Sequence, residues 1–331
     1  MADTNIEYLT KSWNPLQSKI KGESGNGYHC TKVDDGCKFC WAEGMNHRFG
    51  NKLPFNAKPQ EFELKYKELY KPFGWRMRQR VGVQFMGDLF HKDVPFELIN
   101  RVFDVMATDL VQRRGKAGER EGEEAYREVT KHKYFILTKR PERILEFIEW
   151  VKENGDSDYP FAHELEQENE IPSRIWLGTS ISNQPSANKR VVELLKIKQV
   201  FPSANLWLSA EPLLGKIELD PCQLLDPSIP EKPIHFNNIA SWLQQGISWL
   251  VAGGESGKGA RPTHPDWVRT LRDQCKAANV PFNFKQWGEF IHADQALEKL
   301  IYSGSGFVKV GKKRAGRLLD GVLHDEFPKG V

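Results

Sequence analysis

Cysteine is scarce in this chain, with five among 331 residues, and so is methionine, also with five. A disulfide-stapled secreted scaffold is therefore excluded. No run of about 18 apolar residues occurs, so no spanning helix is expected. The opening "MADTNIEYLTKSWNP" has no apolar core of a secretory signal, and a cytoplasmic location is the expectation. Neither sign of charge dominates: 47 basic residues oppose 44 acidic ones, and a net charge of +3 does not by itself argue for nucleic acid. A mean hydropathy of -0.57 with 39% hydrophobic residues describes a water-exposed globular surface around an ordinary core.

The few cysteines are not spread evenly. Cys30, Cys37 and Cys40 fall within "GYHCTKVDDGCKFCWAEGMNHRF", ahead of a helix-like segment. In a reducing compartment such a cluster reads as metal ligands or redox groups before disulfides. One C-x2-C pair without a second falls short of a four-thiolate zinc site, although His29 or His47 can complete a Cys3His set. Three thiolates on a [4Fe–4S] cluster leave one iron without a protein ligand. Cys275 sits on the apolar face of a predicted helix with Trp267, Val268 and Leu271, and reads as core. Cys222 follows Pro221 in a predicted loop. His29, His91, His132 and His264 are isolated, and only His29 and His91 sit beside the cysteine cluster.

From about residue 81 short apolar runs alternate with amphipathic stretches. The runs are 81–88, 133–140, 174–182, 204–212, 248–256 and 281–289. Near-continuous apolar runs are what strands buried on both faces require. Stretches such as "PERILEFIEWVKEN" open on Pro and an acid, as helices do. The expectation is an α/β fold, a full or partial (β/α) barrel of parallel strands, with a seventh strand ahead of the cysteines. The barrel would span 1–290, with charged surface insertions at 111–132 and 153–172, and 291–331 would form a basic C-terminal extension or lid.

In such folds ligands sit at the carboxyl ends of the strands. There the sequence places Gly87–Asp88, Thr138–Lys139–Arg140, Thr179–Ser180, Ser209–Glu211, Gly253–Gly254–Glu255–Ser256 and Lys285–Gln286. "GGESGKGARP" lacks the spacing of a phosphate loop; it is either a strand-to-helix turn or a backbone nest, with Glu255 and Arg261 as its polar contacts. The basic stretches "KPFGWRMRQR" and "KVGKKRAGR", together with the tryptophans, admit a nucleic acid or nucleotide as substrate, although no nucleic-acid module is recognisable.

The cysteine segment resembles the cluster loop of the radical S-adenosylmethionine (SAM) superfamily. The C-x-Φ-C ending is matched by Cys37-Lys38-Phe39-Cys40, while the first gap holds six residues where the commonest form has three. The phrases "SWNP", "GCKFCWAEGMNHRFG", "FMGDLFHKDVP", "ILTKRPERI", "WLGTSISNQ", "LSAEPLLGKI", "GGESGKGARPTHPDWVRTLRDQC" and "PFNFKQWGE" resemble, in this order, one bacterial and phage radical-SAM-like family of unassigned function. That family is associated with a separate three-Cys-motif partner protein. The resemblance implies a [4Fe–4S] cluster on Cys30, Cys37 and Cys40, with SAM on the open iron. It implies Phe39 beside the adenine, and Gly87 and Asp88 at the SAM amine. Lys139, Thr179, Ser180, Asn183, Glu211, Gly253, Gly254 and Glu255 are further contacts on this reading. It also implies an electron donor of flavodoxin or ferredoxin type. The competing expectation is a non-enzymatic zinc or iron–sulfur module that serves a partner protein or nucleic acid.

Overall fold

Seven strands form one parallel sheet in the computed structural model, which describes residues 4–19, 26–57, 61–108, 110–112, 126–128, 132–219, 241–296 and 304–331. They are β1 (Lys11–Trp13), β2 (Arg80–Val83), β3 (Lys133–Thr138), β4 (Ile175–Ile181), β5 (Asn205–Ala210), β6 (Ile247–Gly253) and β7 (Phe282–Gln286). Their spatial order is their sequence order, each strand adding to the same side of the one before. A sheet wound in one direction curls instead of reversing, so the architecture is a half-barrel with β1 and β7 at its edges. The barrel is partial, not closed. The seventh strand, "KSW", lies ahead of the cysteines as expected.

Strand parity gives each residue its face. On β3 to β6 the inward side chains include Phe135, Trp176, Trp207 and Trp249, which pack with Tyr8, Leu9 and Val251 into a small core inside the curl. Trp207 fits because Gly178 faces it; a Cβ at Gly178 would lie 2.3 Å from the indole nitrogen. The same nitrogen donates across β4 to the Ile136 carbonyl at 3.1 Å.

The outer face carries the main core and the helices α2 (Phe96–Ala107), α3 (Glu142–Asn154), α4 (Pro160–Gln167), α5 (Gln184–Val200) and α6 (Pro265–Ala277), while α1 (Trp41–Phe49) follows the cysteine loop. Pro95, Pro141 and Pro265 stand at the openings of α2, α3 and α6, where a missing N–H leaves no intrahelical bond unmade. Phe103, Phe147 and Phe161 lock α2, α3 and α4 together, with ring centroids 4.7 and 4.8 Å apart around Phe103. Cys275 is fully buried on α6, in the core as expected.

The two charged insertions carry more structure than their composition suggests. The acidic stretch 153–172 is not a surface loop alone. It contains α4, whose Phe161, Ala162 and Leu165 are buried while its acids face outward. At the described ends of the charged insertion 111–132, Leu110–Gln112 and Tyr126–Glu128 pair antiparallel; residues 113–125, 129–131 and Cys222 lie outside the described residues. In the C-terminal part, Phe290–His292 pairs with Phe307–Lys309, and Leu318–Leu319 with Val322–Leu323. Residues 324–326 then run along the outer edge of β7. The His324 carbonyl accepts from Phe284 N, Asp325 bridges Asn283, and the Glu326 carboxylate accepts from Phe282 N. No helix among the described residues is long and apolar enough to cross a membrane.

Candidate functional site

The carboxyl ends of the strands surround a cavity of about 190 Å³. Its wall on one side is the loop between β1 and α1, which carries Cys30, Cys37, Phe39 and Cys40. Opposite stand the ends of β2 to β7. The chain ahead of β1 contributes Ile6 and Tyr8 at its floor.

Four cations fasten the loop to the strand ends. Lys139, just after β3, donates to Asp34 at 2.8 Å and to the Cys37 sulfur at 3.3 Å. Arg190 of α5 reaches the same carboxylate at 2.6 Å. Burial pushes Asp34 toward its neutral form, but Lys139 and Arg190 outweigh it and hold the group at about 2. Arg140 donates to the Thr31 hydroxyl at 2.7 Å and to the Thr31 carbonyl at 3.2 Å. Arg261 donates to the Asp35 carbonyl at 2.9 Å while forking onto Glu255 at 2.7 and 2.8 Å. All four cations reach the six-residue stretch between Cys30 and Cys37. The wide gap is thus a loop built around two anchoring points, Thr31 and Asp34–Asp35.

His91 braces Thr31 from behind. Asp93 N donates to His91 Nδ1 at 3.3 Å, so Nε2 carries the proton and donates to the Thr31 hydroxyl at 2.9 Å. Burial, then Arg140 and His29, lower His91 to about 4. The imidazole is neutral at neutral pH.

All three cysteines of the loop are free thiols. Burial, then the charge of Asp88, pushes Cys30 up to about 12, and burial raises Cys40. Thiols held neutral in this way yield their protons only to an electrophile that binds them, as a metal does. Among the described residues no three His, Cys, Asp or Glu side chains stand converged around a point as ligands. His29 and His47 do not join the thiols, and His47 is exposed on α1. What fits a thiophilic metal group is the donor set: three soft thiols from one loop, with no competing carboxylate among them, opening on one cavity.

Of the residues expected at the site, Cys30, Cys37, Cys40, Phe39, Gly87, Asp88, Lys139, Ser180, Glu211, Gly254 and Glu255 line the cavity. The Phe39 ring lies against Gly259, where a Cβ would come within 2.6 Å of it, and under the Arg261 guanidinium at 5.3 Å. Gly87 allows the β2 loop to meet the His29 carbonyl, which a Cβ would approach to 2.9 Å. Glu211 is paired with Lys285 at 2.5 Å.

Four of the expected residues are engaged in other ways in the structure. Thr179 points to the opposite face of β4 from Ser180, and its hydroxyl donates to the Thr138 carbonyl at 2.8 Å. Asn183 is the cap of α5, accepting from Ser186 N at 3.1 Å within a capping box. Gly253 is not itself part of the lining; a Cβ there would lie 3.4 Å from the cavity-lining Glu211 and Lys285, and its carbonyl accepts from Leu213 N. Asp88 lines the cavity, but its oxygens already accept from Thr138 Oγ1, Arg140 Nη1, Phe90 N and Lys139 N, at 2.7 to 3.3 Å. A carboxylate with about four acceptor positions has none left for an ammonium group. Its role is to hold Arg140 on the cysteine loop.

The sequence reading missed Asp34 and Arg190, whose pairing joins distant segments, and Tyr8, which no motif marks. Arg140, Ser209 and Lys285 were visible only as polar strand ends.

A family model described as a protein of unknown function (DUF5131) matches residues 3–112 and 123–328, and the chain belongs to that family. No curated protein and no solved structure matches it.

Proposed function

Membership of this family assigns no activity, so the reading rests on the site: we propose that the chain is a radical SAM enzyme. Cys30, Cys37 and Cys40 would hold a [4Fe–4S] cluster in the cavity wall, and the iron they leave open would take the amino and carboxylate groups of SAM. Bound together, such a pair supplies one-electron reductive cleavage of the sulfonium to methionine and a 5′-deoxyadenosyl radical, the electron coming from a flavodoxin- or ferredoxin-type donor.

The chain's own residues position and enclose. Lys139, Arg190, Arg140 and Arg261 fix the loop from four directions, so the thiols are presented from a backbone tied to rigid strand ends. Phe39, held between Gly259 and Arg261, offers a flat apolar face for an adenine. With Asp88 saturated, Glu211 and Glu255 are the carboxylates left on the wall to meet a SAM ammonium. Each would do so while retaining its cationic partner, Lys285 or Arg261. Tyr8 and Ile6 close the floor against water.

The observation that carries this reading is the meeting of three free thiols, from the loop after the first strand of a parallel half-barrel, in one cavity at the strands' carboxyl ends. Anaerobic reconstitution with iron and sulfide tests it. About four irons and four sulfides per chain, an absorbance bleached by dithionite, and 5′-deoxyadenosine formed from SAM are expected. Stoichiometric zinc with no iron uptake would sink it and leave a metal-binding module.

A further inference from the structure

Cys40 caps α1, and this helix carries an apolar stripe that is left largely open to solvent. Trp41, Met45 and Phe49 recur every four residues, hence on one face, and are 51%, 42% and 68% exposed. Single exposed apolar side chains are ordinary. Three in register on a nine-residue helix call for an occupant. The stripe is continuous with the cavity, because Trp41 forms part of the cavity wall.

Cations flank it. The Lys38 ammonium lies 5.4 Å from the Phe39 ring centre and the Arg48 guanidinium 4.8 Å from that of Phe49, and Lys52, three residues beyond Phe49, is exposed. The acids of the same segment are largely spent. Asp34 is held by Lys139 and Arg190, and Glu43 by Lys32 at 2.8 Å, leaving Asp35 as the exposed acid between residues 28 and 57.

We propose that this face binds single-stranded nucleic acid. Bases would stack on Trp41 and Phe49, phosphates would follow Lys38, Arg48 and Lys52, and one nucleotide would be delivered to the cavity. Aromatic platforms interleaved with cations are what a sequence-tolerant single-strand track needs. An acidic redox protein would satisfy the cations too. It has no use, however, for an aromatic side chain that is itself cavity wall, and the stripe begins with one. The proposal deepens the enzymatic reading by naming the substrate class, and rests on that reading for its meaning.

Its test needs neither iron nor SAM, so its failure and that of the cluster reading are separable. Fluorescence anisotropy of labelled oligo-dT and oligo-rU, at low and at moderate salt, should show binding that weakens steeply as salt rises. Trp41→Ala and Phe49→Ala should each weaken it roughly tenfold or more, while Trp41→Phe retains most of it. Lys38→Glu with Arg48→Glu should flatten the salt dependence. Tyr159→Ala, on an exposed ring at the start of α4, should leave binding unchanged. Absence of binding at low salt overturns the proposal, as does binding indifferent to Trp41→Ala and Phe49→Ala. So does a stripe whose loss weakens capture of an acidic flavodoxin-type protein and not of the oligonucleotides.

Discussion

The Lys139 ammonium stands 2.8 Å from the Asp34 carboxylate, joining the end of the third sheet strand to the middle of the cysteine loop. Because the same ammonium also reaches the Cys37 sulfur at 3.3 Å, one side chain sets both the backbone and a thiol of the wall.

Removing the charge of Asp34 leaves Lys139 and Arg190 facing each other without a counter-ion. Asp34→Asn is expected to lose about 2–4 kcal/mol of unfolding free energy in urea and to retain less iron after reconstitution. Since Asp34 is held at about 2 in the fold, this contribution persists through neutral pH. It fades only as pH falls from the unfolded carboxylate's range, near 3.8, toward 2.

Asp88 and Arg140 form a more deeply buried pair, 2.7 Å apart. Asp88→Asn strands a buried guanidinium and is expected to cost about 3–5 kcal/mol. Adding Arg140→Met to it should recover part of that loss, because an apolar side chain needs no counter-charge there. Chemical denaturation of the two variants against the parent checks both statements.

Asp104 on the second helix is pushed up to about 6 by burial, against the Phe161 N–H and Arg101 that favour its charge. Its Oδ1 accepts from Phe161 N at 3.3 Å, and its Oδ2 is buried without a partner. A raised carboxyl binds its proton more tightly in the fold. It therefore contributes stability below about pH 4 that is lost as pH rises through 6. Asp104→Asn keeps the acceptor and removes the titration. It should gain about 3 kcal/mol relative to the parent at pH 7.5 and almost nothing at pH 3.5, as read by urea unfolding at the two pH values.

Two glycines should respond to alanine with opposite sign. At Gly254 a Cβ would fall 2.0 Å from the Trp287 carbonyl oxygen, so backbone must move and roughly 2–4 kcal/mol should be lost. At Gly44, inside the first helix, a Cβ meets nothing within 4 Å, and up to about 1 kcal/mol should be gained. Thermal unfolding of the two variants settles the comparison.

The sheet was legible because parallel strands buried on both faces leave apolar runs that need no partner to be recognised. The cysteine loop was legible because three thiols in eleven positions are improbable without a task. What the sequence could not show was hidden for local reasons. Thr179 and Ser180 look alike in sequence, and strand parity sends one outward and one to the cavity. Asn183 looks like a ligand-facing amide but spends its oxygen on a helix start. The fourth helix was hidden by its acidic outer face, which masks Phe161 and Leu165 beneath. Asp88 lines the cavity, yet three of its four donors come from Thr138, Lys139 and Arg140, which only the fold brings near. Arg190 could not be foreseen at all, since nothing local distinguishes a cation that crosses to Asp34 from one that faces water.

The strap formed by residues 324–326 bears on how the protein can be handled. Without it, the Phe282–Gln286 strand would offer the backbone groups of Phe282 and Phe284 to any passing chain, and open sheet edges of that kind recruit further strands. Shortening the C-terminus before His324 would thus turn a covered sheet edge into a polymerisation seed, and insolubility would appear before any loss of chemistry could be measured.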